Sequence, residues 1–275
     1  MSAIHRGLTF AEYRALPGIG ITSLKSMGRS PLHFKYDLDH PKESKAMGLG
    51  TAAHCAILEP ERFGEEVAIW TEGRRAGKVW DAWEAANAGL IQLKPAEAAL
   101  VYGMRDAVQN YPAAMEYLVS GHAEAAMTWT DPETGHACRG RADWITEING
   151  VPVLVGLKTA RDCRHFPFAS QSSKLGYHLQ WAYYADGFFE ITGQNPKVVE
   201  IVVESAAPHE PRVYVVSDDI LDAGRVEYHR LLVQLTECER AGEYPPLVMN
   251  EEVLTLPTWV YGGEDEDLSD LGLTA

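Results

Sequence analysis

Two residues near the middle of the chain could together carry out metal-assisted chemistry. Asp143 lies in the segment Gly-Arg-Ala-Asp-Trp, and Lys158 follows the apolar run that starts at Val151. The dipeptide Asn149-Gly150 separates the two apolar runs, which is the strongest short signal for a β-hairpin. We therefore predict that Asp143 and Lys158 lie on adjacent strands, where their side chains can meet at one end of a sheet. A carboxylate that can hold a hard cation, beside a lysine that can orient or polarise water, is the minimum apparatus for metal-assisted phosphodiester hydrolysis.

Three further candidate residues lie in segments that favour helices. His54 belongs to a helix predicted over residues 47–58, where a histidine is more often a satisfied core residue than a ligand. Gln180 and Tyr184 are one helical turn apart in a helix predicted over residues 175–189, so they share a face. An aromatic helix face is usually core, but a glutamine in a core needs hydrogen-bond partners, which makes Gln180 a candidate site residue.

The predicted elements change from helices to strands along the chain. Before residue 121 the pattern is mostly helical, with one short strand at 66–70. After it we predict strands over 124–130, 137–148, 151–157, 198–204 and 212–216, and helices over 175–189 and 218–240. This order predicts an α/β fold with a central mixed β-sheet flanked by helices and a helical N-terminal layer. We expect a single domain over residues 1–250, with a helical part at 1–120 and a sheet core at 121–250, and an acidic C-terminal tail at 251–275 that is at least partly disordered.

The charge of the chain is unevenly distributed. With 39 Asp and Glu against 24 Lys and Arg, the net charge is −15, which seems to exclude a protein with a basic nucleic-acid-binding surface. However, residues 251–275 contain seven of the acids and no Lys or Arg. Between Arg139 and Lys174, six bases face three acids. The segment around the candidate residues is therefore locally positive and suits an anionic substrate.

The cysteines and the apolar runs favour an intracellular protein. The four cysteines show no zinc-ligand spacing and are expected to be reduced, buried thiols. No apolar run approaches the ~18 residues of a membrane span, and the N-terminal segment has no signal-peptide core. We therefore expect a soluble, cytoplasmic protein.

In their order along the chain, the candidate motifs resemble those of the PD-(D/E)XK nuclease superfamily, in its RecB-like and RecE-like exonuclease branch. That branch has a helix with a histidine, here His54, and a strand with G-x-x-D, here ending at Asp143. These are followed by a strand with (D/E)-x-K, ending at Lys158, and a helix with Q-x-x-x-Y, here Gln180 to Tyr184. Residues 8–35 also look like the start of phage and prophage exodeoxyribonuclease VIII-type domains. The resemblance covers roughly residues 8–240.

The resemblance implies a restriction-endonuclease-like fold and a Mg²⁺-dependent deoxyribonuclease, in which Mn²⁺ can substitute. His54 and Asp143 would be metal ligands, Lys158 would position or activate the attacking water, and Gln180 and Tyr184 would support the site and contact DNA. Glu124 matches an acid that often precedes the first core strand.

By the same resemblance the enzyme would be an exonuclease on double-stranded DNA ends, acting 5′ to 3′ in phage-type recombination. It would be encoded by a phage or prophage and work in a bacterial host cell. It would form a ring-like homo-oligomer and cooperate with a single-strand annealing recombinase.

One position departs from the family pattern. Where the family has an acid two residues before the lysine, this chain has Gly156, which supplies no carboxylate. Since Mg²⁺ usually takes at least one or two carboxylates, the loss should weaken metal binding. Water or another acid could fill the gap, and the candidates are Glu204, Glu124 and Glu147. The alternative is a catalytically impaired nuclease fold that serves as a DNA-end-binding or assembly module.

Basic residues near the candidate site are expected to contact phosphate, which gives affinity that depends on salt and not on sequence. They are Arg139, Arg141, Arg161, Arg164 and Lys174. By strand alternation Arg139 and Arg141 share a face with Asp143. Arg74, Arg75 and Lys78 would add a mobile second contact. Trp80 and Trp83, three residues apart, could stack on bases, although core packing is the commoner role of such a pair.

Overall fold

The computed structural model describes residues 2–40, 48–251 and 253–256, and a mixed β-sheet lies at its centre. The sheet strands are β1 (Ala3–His5), β2 (Ile19–Gly20), β5 (His122–Thr130), β6 (Ala137–Ile148), β7 (Val151–Ala160), β8 (Lys197–Glu204) and β9 (Pro211–Val215). They are ordered β1-β5-β6-β7-β8-β9, and β2 pairs with β6. The β7–β8 and β2–β6 pairs are parallel and the others antiparallel, so the predicted mixed sheet is confirmed. Two further strands, β3 (Val67–Ile69) and β4 (Ile91–Leu93), form a separate parallel pair.

Helices cover both faces of this sheet. Before β5 they are α1 (Phe10–Ala15), α2 (Ile21–Met27), α3 (Pro31–Asp39), α4 (Gly48–Leu58), a 3₁₀ turn (Pro60–Arg62), α5 (Phe63–Glu66), α6 (Lys78–Ala86), α7 (Pro95–Gln109) and α8 (Pro112–Leu118). After it they are α9 (His165–Lys174), α10 (Tyr177–Thr192) and α11 (Asp218–Ala241). The helices predicted from the sequence are present, and none of the described helices is long and apolar enough to cross a membrane.

Strand alternation divides the core into two layers. On β7, Val153, Val155 and Leu157 face α4, α7 and α8, and Leu154 faces the opposite layer, which is built from α2, α10 and α11. Successive side chains of a strand point to opposite faces of the sheet, so one strand supplies both layers. Lys158 and Gly156 share the face of Leu154 by this alternation, which turns them toward α10.

The hairpin that joins β6 to β7 forms as predicted. Asn149 and Gly150 have φ values of 53° and 79°, which a type I′ turn requires at both central positions. Ile148 and Val151 are the first pair of the ladder. The turn therefore sets the register that brings the Asp143 and Lys158 strands together.

Several short elements are absent from the sequence prediction. β1, β2 and β4 contain three, two and three residues, too few for a two-residue period to be recognised. Helices α8 and α9 were also not predicted. The N-terminal part is therefore not purely helical, because it contributes two strands to the main sheet and forms the β3–β4 pair.

Two other expectations can be compared with the structure. All four cysteines are free and buried, as expected. The predicted acidic tail lies outside the described residues except for Glu251 and residues 253–256, and the division of the chain into domain and tail stays a prediction.

Candidate active site

Asp143 lies where two neighbouring strands of the sheet separate. The ladder between β6 and β7 runs from Ile148–Val151 to Trp144–Val155, whereas β7 stays paired with β8 as far as Ala160. Just beyond the end of the ladder, Oδ2 of Asp143 accepts a hydrogen bond of 2.8 Å from the backbone N–H of Leu157. The carboxylate thus takes the place of a main-chain acceptor and is held in the fork between the strands.

Lys158 places its ammonium group between two carboxylates. Its Nζ lies 3.3 Å from Oδ2 of Asp143 and 3.5 Å from Oε1 of Glu200. Burial alone would lower the pKa of Lys158, but the negative charges of Asp143 and Glu200 outweigh it and raise the pKa above its usual range. Burial likewise opposes ionisation of Asp143, but Lys158, then His54 and the Leu157 N–H, hold the Asp143 pKa below its ordinary value. The lysine is therefore a permanent cation and Asp143 a permanent anion at neutral pH.

His54, Glu124 and Asp143 form a group that fits a divalent cation. One ligand atom from each lies within 4.8 Å of the other two. Burial lowers the pKa of His54, which keeps the imidazole neutral and able to donate a lone pair. Burial, followed by the charge of Asp143, raises the pKa of Glu124 to about 7. One imidazole nitrogen and two carboxylates are a donor set that divalent metals accept.

Glu124 reaches this group through an unusual backbone conformation. Its φ is 49°, a left-handed value that non-glycine residues rarely adopt. The ladder between β5 and β6 pairs Ala123 with Trp144 and Ala125 with Ala142. Between these two pairs, Glu124 and Asp143 are not paired in the ladder. Such strained residues concentrate at functional sites, and here the distortion lies on the two candidate ligands.

Glu200 is a site residue that the sequence analysis missed. It is 0% exposed, and the Trp181 indole N–H donates to its Oε2. Burial raises the pKa of Glu200 to about 7, against the opposing charge of Lys158. A signal was available in the sequence, because Glu200 is a single acid within the apolar run from Val198 to Val203. That strand is buried on both faces, so an acid in its interior needs a partner.

Gln180 and Tyr184 lie on the α10 side of the same site. Together with Asp143, Lys158 and Glu200 they line a small cavity of about 20 Å³, enough for one water molecule or ion. The ring of Tyr184 packs on Gly140 so closely that a Cβ there would lie 2.5 Å from Cε1. The structure therefore brings all four predicted motifs to one place and explains the glycine that begins the segment ending at Asp143.

Two of the predicted phosphate-binding arginines are engaged within the chain. Arg139 donates through Nη1 to the backbone oxygens of Arg14, at 2.8 Å, and Leu16. Nε of Arg141 lies 2.8 Å from Oε2 of Glu124. Both guanidinium groups also lie over the ring of Tyr13. These arginines hold the segment around α1 against the sheet, and Arg141 additionally holds a candidate metal ligand.

The other basic residues fall into two groups. Arg161, Arg164 and Lys174 are exposed beyond the end of β7, and Nη2 of Arg164 lies 2.6 Å from Asp162. Arg74 and Lys78 are exposed as well. Arg75 instead donates to Gln92 O at 2.7 Å and lies over the Trp80 ring.

Trp80 and Trp83 pack with Trp70. The three ring centroids are 5.3 Å apart in each pair, and Trp80 is buried. Their role in this part of the chain is to form a small core beside the β3–β4 pair, and the buried ring of Trp80 is unavailable for base stacking.

Two of the acids suggested as substitutes for the missing carboxylate lie away from the site. Glu204 accepts a hydrogen bond of 3.2 Å from the Cys163 N–H and pairs with Ala160, four residues along the strand from Gly156. Glu147 is exposed near the hairpin and pairs with Pro152. Of the three suggestions, Glu124 alone joins the His54–Asp143 group.

Lys25 is a second cation near the site that sequence reasoning missed, and no local pattern marks it. Its Nζ donates to Leu175 O at 2.9 Å and lies 5.8 Å from the ring centroid of Tyr177, which Lys158 approaches to 5.5 Å. Burial, and then the charge of Lys158, lower the pKa of Lys25 to about 8. Among the described residues no carboxylate forms an ion pair with it, so its charge remains available to an anionic ligand.

Comparisons with known proteins agree with this geometry. The family described as a PDDEXK-like domain of unknown function (DUF3799) matches residues 20–252. No curated protein sequence matches the chain. A crystal structure from Eubacterium rectale, named "Putative exonuclease", aligns with 92% of this chain and 96% of its own, at 15% identity and a TM-score of 0.59.

Two weaker structural matches are the protein SSO0001 and protein VC1899 from Vibrio cholerae. SSO0001 aligns with 78% of this chain and 85% of its own, at 13% identity and a TM-score of 0.31. VC1899 aligns with 89% of this chain and 60% of its own, at 12% identity and a TM-score of 0.25.

The matched segment contains the sheet strands β5 to β9 and every residue of the candidate site. The Eubacterium rectale structure shows the same fold along nearly the full length of both chains. The predicted restriction-endonuclease-like architecture is thereby confirmed, while the RecE-like branch stays a prediction. The chain belongs to the PDDEXK-like domain family DUF3799, a member of the PD-(D/E)XK nuclease superfamily.

Proposed function

We propose that the protein is a divalent-metal-dependent nuclease that hydrolyses DNA. The observation that carries this proposal is the group of His54, Glu124 and Asp143, three ligand atoms within 4.8 Å, beside the buried ammonium of Lys158. A site of this composition combines a place for a hard cation with a fixed positive charge, which phosphodiester hydrolysis needs.

The residues of the site have separate tasks in this proposal. A Mg²⁺ or Mn²⁺ ion held by His54, Glu124 and Asp143 would supply a Lewis acid that stabilises charge developing on the phosphate. Lys158 stays protonated because two carboxylates raise its pKa, so it acts as a hydrogen-bond donor that orients the attacking water and does not accept its proton. Gln180 and Tyr184 border the small cavity that Asp143 and Lys158 also line, and they support the position of those two side chains.

The finer assignment rests on the resemblance. We propose an exonuclease that acts on double-stranded DNA ends, 5′ to 3′, in phage-type recombination, as a homo-oligomer with a single-strand annealing recombinase as partner. The motif order and the similarity of residues 8–35 to exodeoxyribonuclease VIII-type domains support this. The name of the structurally similar Eubacterium rectale protein is in keeping with it.

The competing function is a DNA-binding module without catalysis, which was suggested by the absence of an acid at Gly156. The structure weakens this argument for lost activity, because Glu200 places a buried carboxylate against the position where the missing acid would be. An active enzyme is therefore the better supported of the two.

The test is cleavage of DNA by the purified protein in Mg²⁺ or Mn²⁺. End-labelled linear duplex should be degraded and covalently closed circles should survive, and EDTA should stop the reaction. Asp143→Ala and Lys158→Ala should abolish cleavage, whereas Glu147→Ala, on the same strand as Asp143 but exposed near the hairpin, should retain it. Wild-type rates in both site variants would overturn the proposal, and no cleavage by the wild type would favour the binding module.

A further inference from the structure

We infer that Glu200 replaces the acid missing at position 156, so that the carboxylate of the (D/E)-x-K motif comes from the neighbouring strand β8. The inference rests on the proposed function, since it adds a metal-binding residue to the same site. It assigns Glu200 as a ligand for a divalent cation in the cavity shared with Asp143.

The first support is that positions 156 and 200 compete for one volume. Gly156 and Glu200 are paired in the parallel ladder of β7 and β8. A Cβ built on Gly156 would lie 2.5 Å from both carboxylate oxygens of Glu200, closer than real Cβ atoms come to other atoms. The Glu200 carboxylate therefore occupies the place where the side chain of an acid at position 156 would begin, and any side chain at position 156 would force that carboxylate to move.

The second support is how Glu200 is held. Trp181 donates its indole N–H to Oε2, while Oε1 is buried without a hydrogen bond and has only the ion pair with Lys158 at 3.5 Å. A buried carboxylate is unfavourable unless its oxygens have partners. One oxygen is thus fixed by the protein and the other is available to a ligand.

The third support is that Glu200 and Asp143 share the same surroundings. Asp143 and Glu200 approach the same ammonium group, at 3.3 and 3.5 Å, and both line the cavity of about 20 Å³ together with Gln180. The two carboxylates therefore border one small cavity that has room for a single water molecule or ion. Asp143 would be a ligand of a cation in this cavity, and it also belongs to the group formed with His54 and Glu124.

A carboxylate exchange tests the inference. Glu200→Gln keeps the shape and an acceptor for Trp181 but removes the charge, and it should lower Mn²⁺ affinity at least tenfold in isothermal titration calorimetry. Glu200→Ala should do the same, and Gly156→Asp alone should unfold at a lower temperature because of the steric overlap. The double variant Gly156→Asp/Glu200→Ala should bind Mn²⁺ more tightly than Glu200→Ala, because it restores a carboxylate to vacated space. Glu204→Gln, on the same strand but bonded to Cys163, is the matched control and should bind Mn²⁺ like the wild type.

The outcomes separate this inference from the proposed function. Wild-type Mn²⁺ affinity in Glu200→Gln would overturn the inference. If Asp143→Ala loses Mn²⁺ in the same assay, the proposed function stands; if it also binds like the wild type, the proposed metal site is overturned as well. A folded double variant that binds no more tightly than Glu200→Ala would also overturn it, and if the double variant does not fold, the Glu200→Gln result decides. Mn²⁺ binding that needs Glu200 and Asp143 in a protein without DNA cleavage would support the inference and overturn the proposed function. A wild-type protein that binds no Mn²⁺ would overturn both.

Discussion

The ammonium group of Lys158 lies 3.3 Å from the carboxylate of Asp143, between two strands whose ladder ends at the Trp144–Val155 pair. Both side chains are mostly buried, with 14% and 15% of their surfaces exposed. Their attraction is therefore weakly screened by solvent, and each compensates a charge that would be unfavourable alone.

Removing the positive charge of Lys158 should destabilise the folded protein, independently of any effect on catalysis. Lys158→Met leaves Asp143 and Glu200 buried without a counter-charge, so we expect the free energy of unfolding to fall by about 3 kcal/mol. Urea denaturation at neutral pH in EDTA measures this. Lys35→Met is the control, because Lys35 and Asp39 form an exposed pair, and its loss should change stability by less than about 1 kcal/mol. Equal effects of the two substitutions would contradict the prediction.

A divalent cation should stabilise the folded protein through His54, Glu124 and Asp143. At a free Mn²⁺ concentration of 100 times Kd, binding to the native state alone adds about 2.7 kcal/mol to stability. The thermal midpoint should therefore rise with Mn²⁺ and return to its starting value with EDTA. His54→Ala and Glu124→Gln should lose most of the increase and Glu147→Gln should keep it. A full increase in the first two variants would show that the ion binds elsewhere.

The charge of Lys25 should make DNA affinity depend on pH. Its pKa is lowered to about 8, so the side chain is positive below that pH and neutral above it. We expect DNA affinity, measured by fluorescence anisotropy at constant salt in EDTA, to fall between pH 7 and pH 9. Lys25→Arg should keep its affinity at pH 9, and Lys25→Gln should bind weakly at both values. The same pH dependence in Lys25→Gln as in the wild type would exclude Lys25 as its source.

Arg161 and Arg164 should contribute unequally to phosphate binding. Arg164 is already paired with Asp162 at 2.6 Å, whereas among the described residues Arg161 has no ion pair. In a plot of the logarithm of the duplex binding constant against the logarithm of salt concentration, each phosphate contact contributes about 0.9 to the magnitude of the slope. Arg161→Gln should reduce the magnitude of that slope by about 0.9, and Arg164→Gln should reduce it by less. Asp162→Asn frees Arg164 and should strengthen binding at low salt. A larger effect of Arg164→Gln than of Arg161→Gln would contradict this order.

The amino-acid sequence by itself determined the local parts of the site. Asn149-Gly150 specifies the hairpin turn, and the hairpin puts Asp143 and Lys158 on neighbouring strands. The spacing of Gln180 and Tyr184 puts them on one helix face. These features depend on contacts between residues close in the chain, so turn chemistry and periodicity are enough to predict them.

Only the tertiary structure decided which further carboxylates lie beside Asp143 and Lys158. Glu124 joins His54 because the β5–β6 ladder is distorted at that residue, and Arg141 pairs with Glu124 there. Glu200 lies against Gly156 because β8 returns parallel to β7 after two intervening helices. The register of such a crossover pair is set by packing of the whole sheet against its helices and not by any turn between the strands. The glycine that looked like a lost ligand could therefore be understood only when its neighbour on β8 was known.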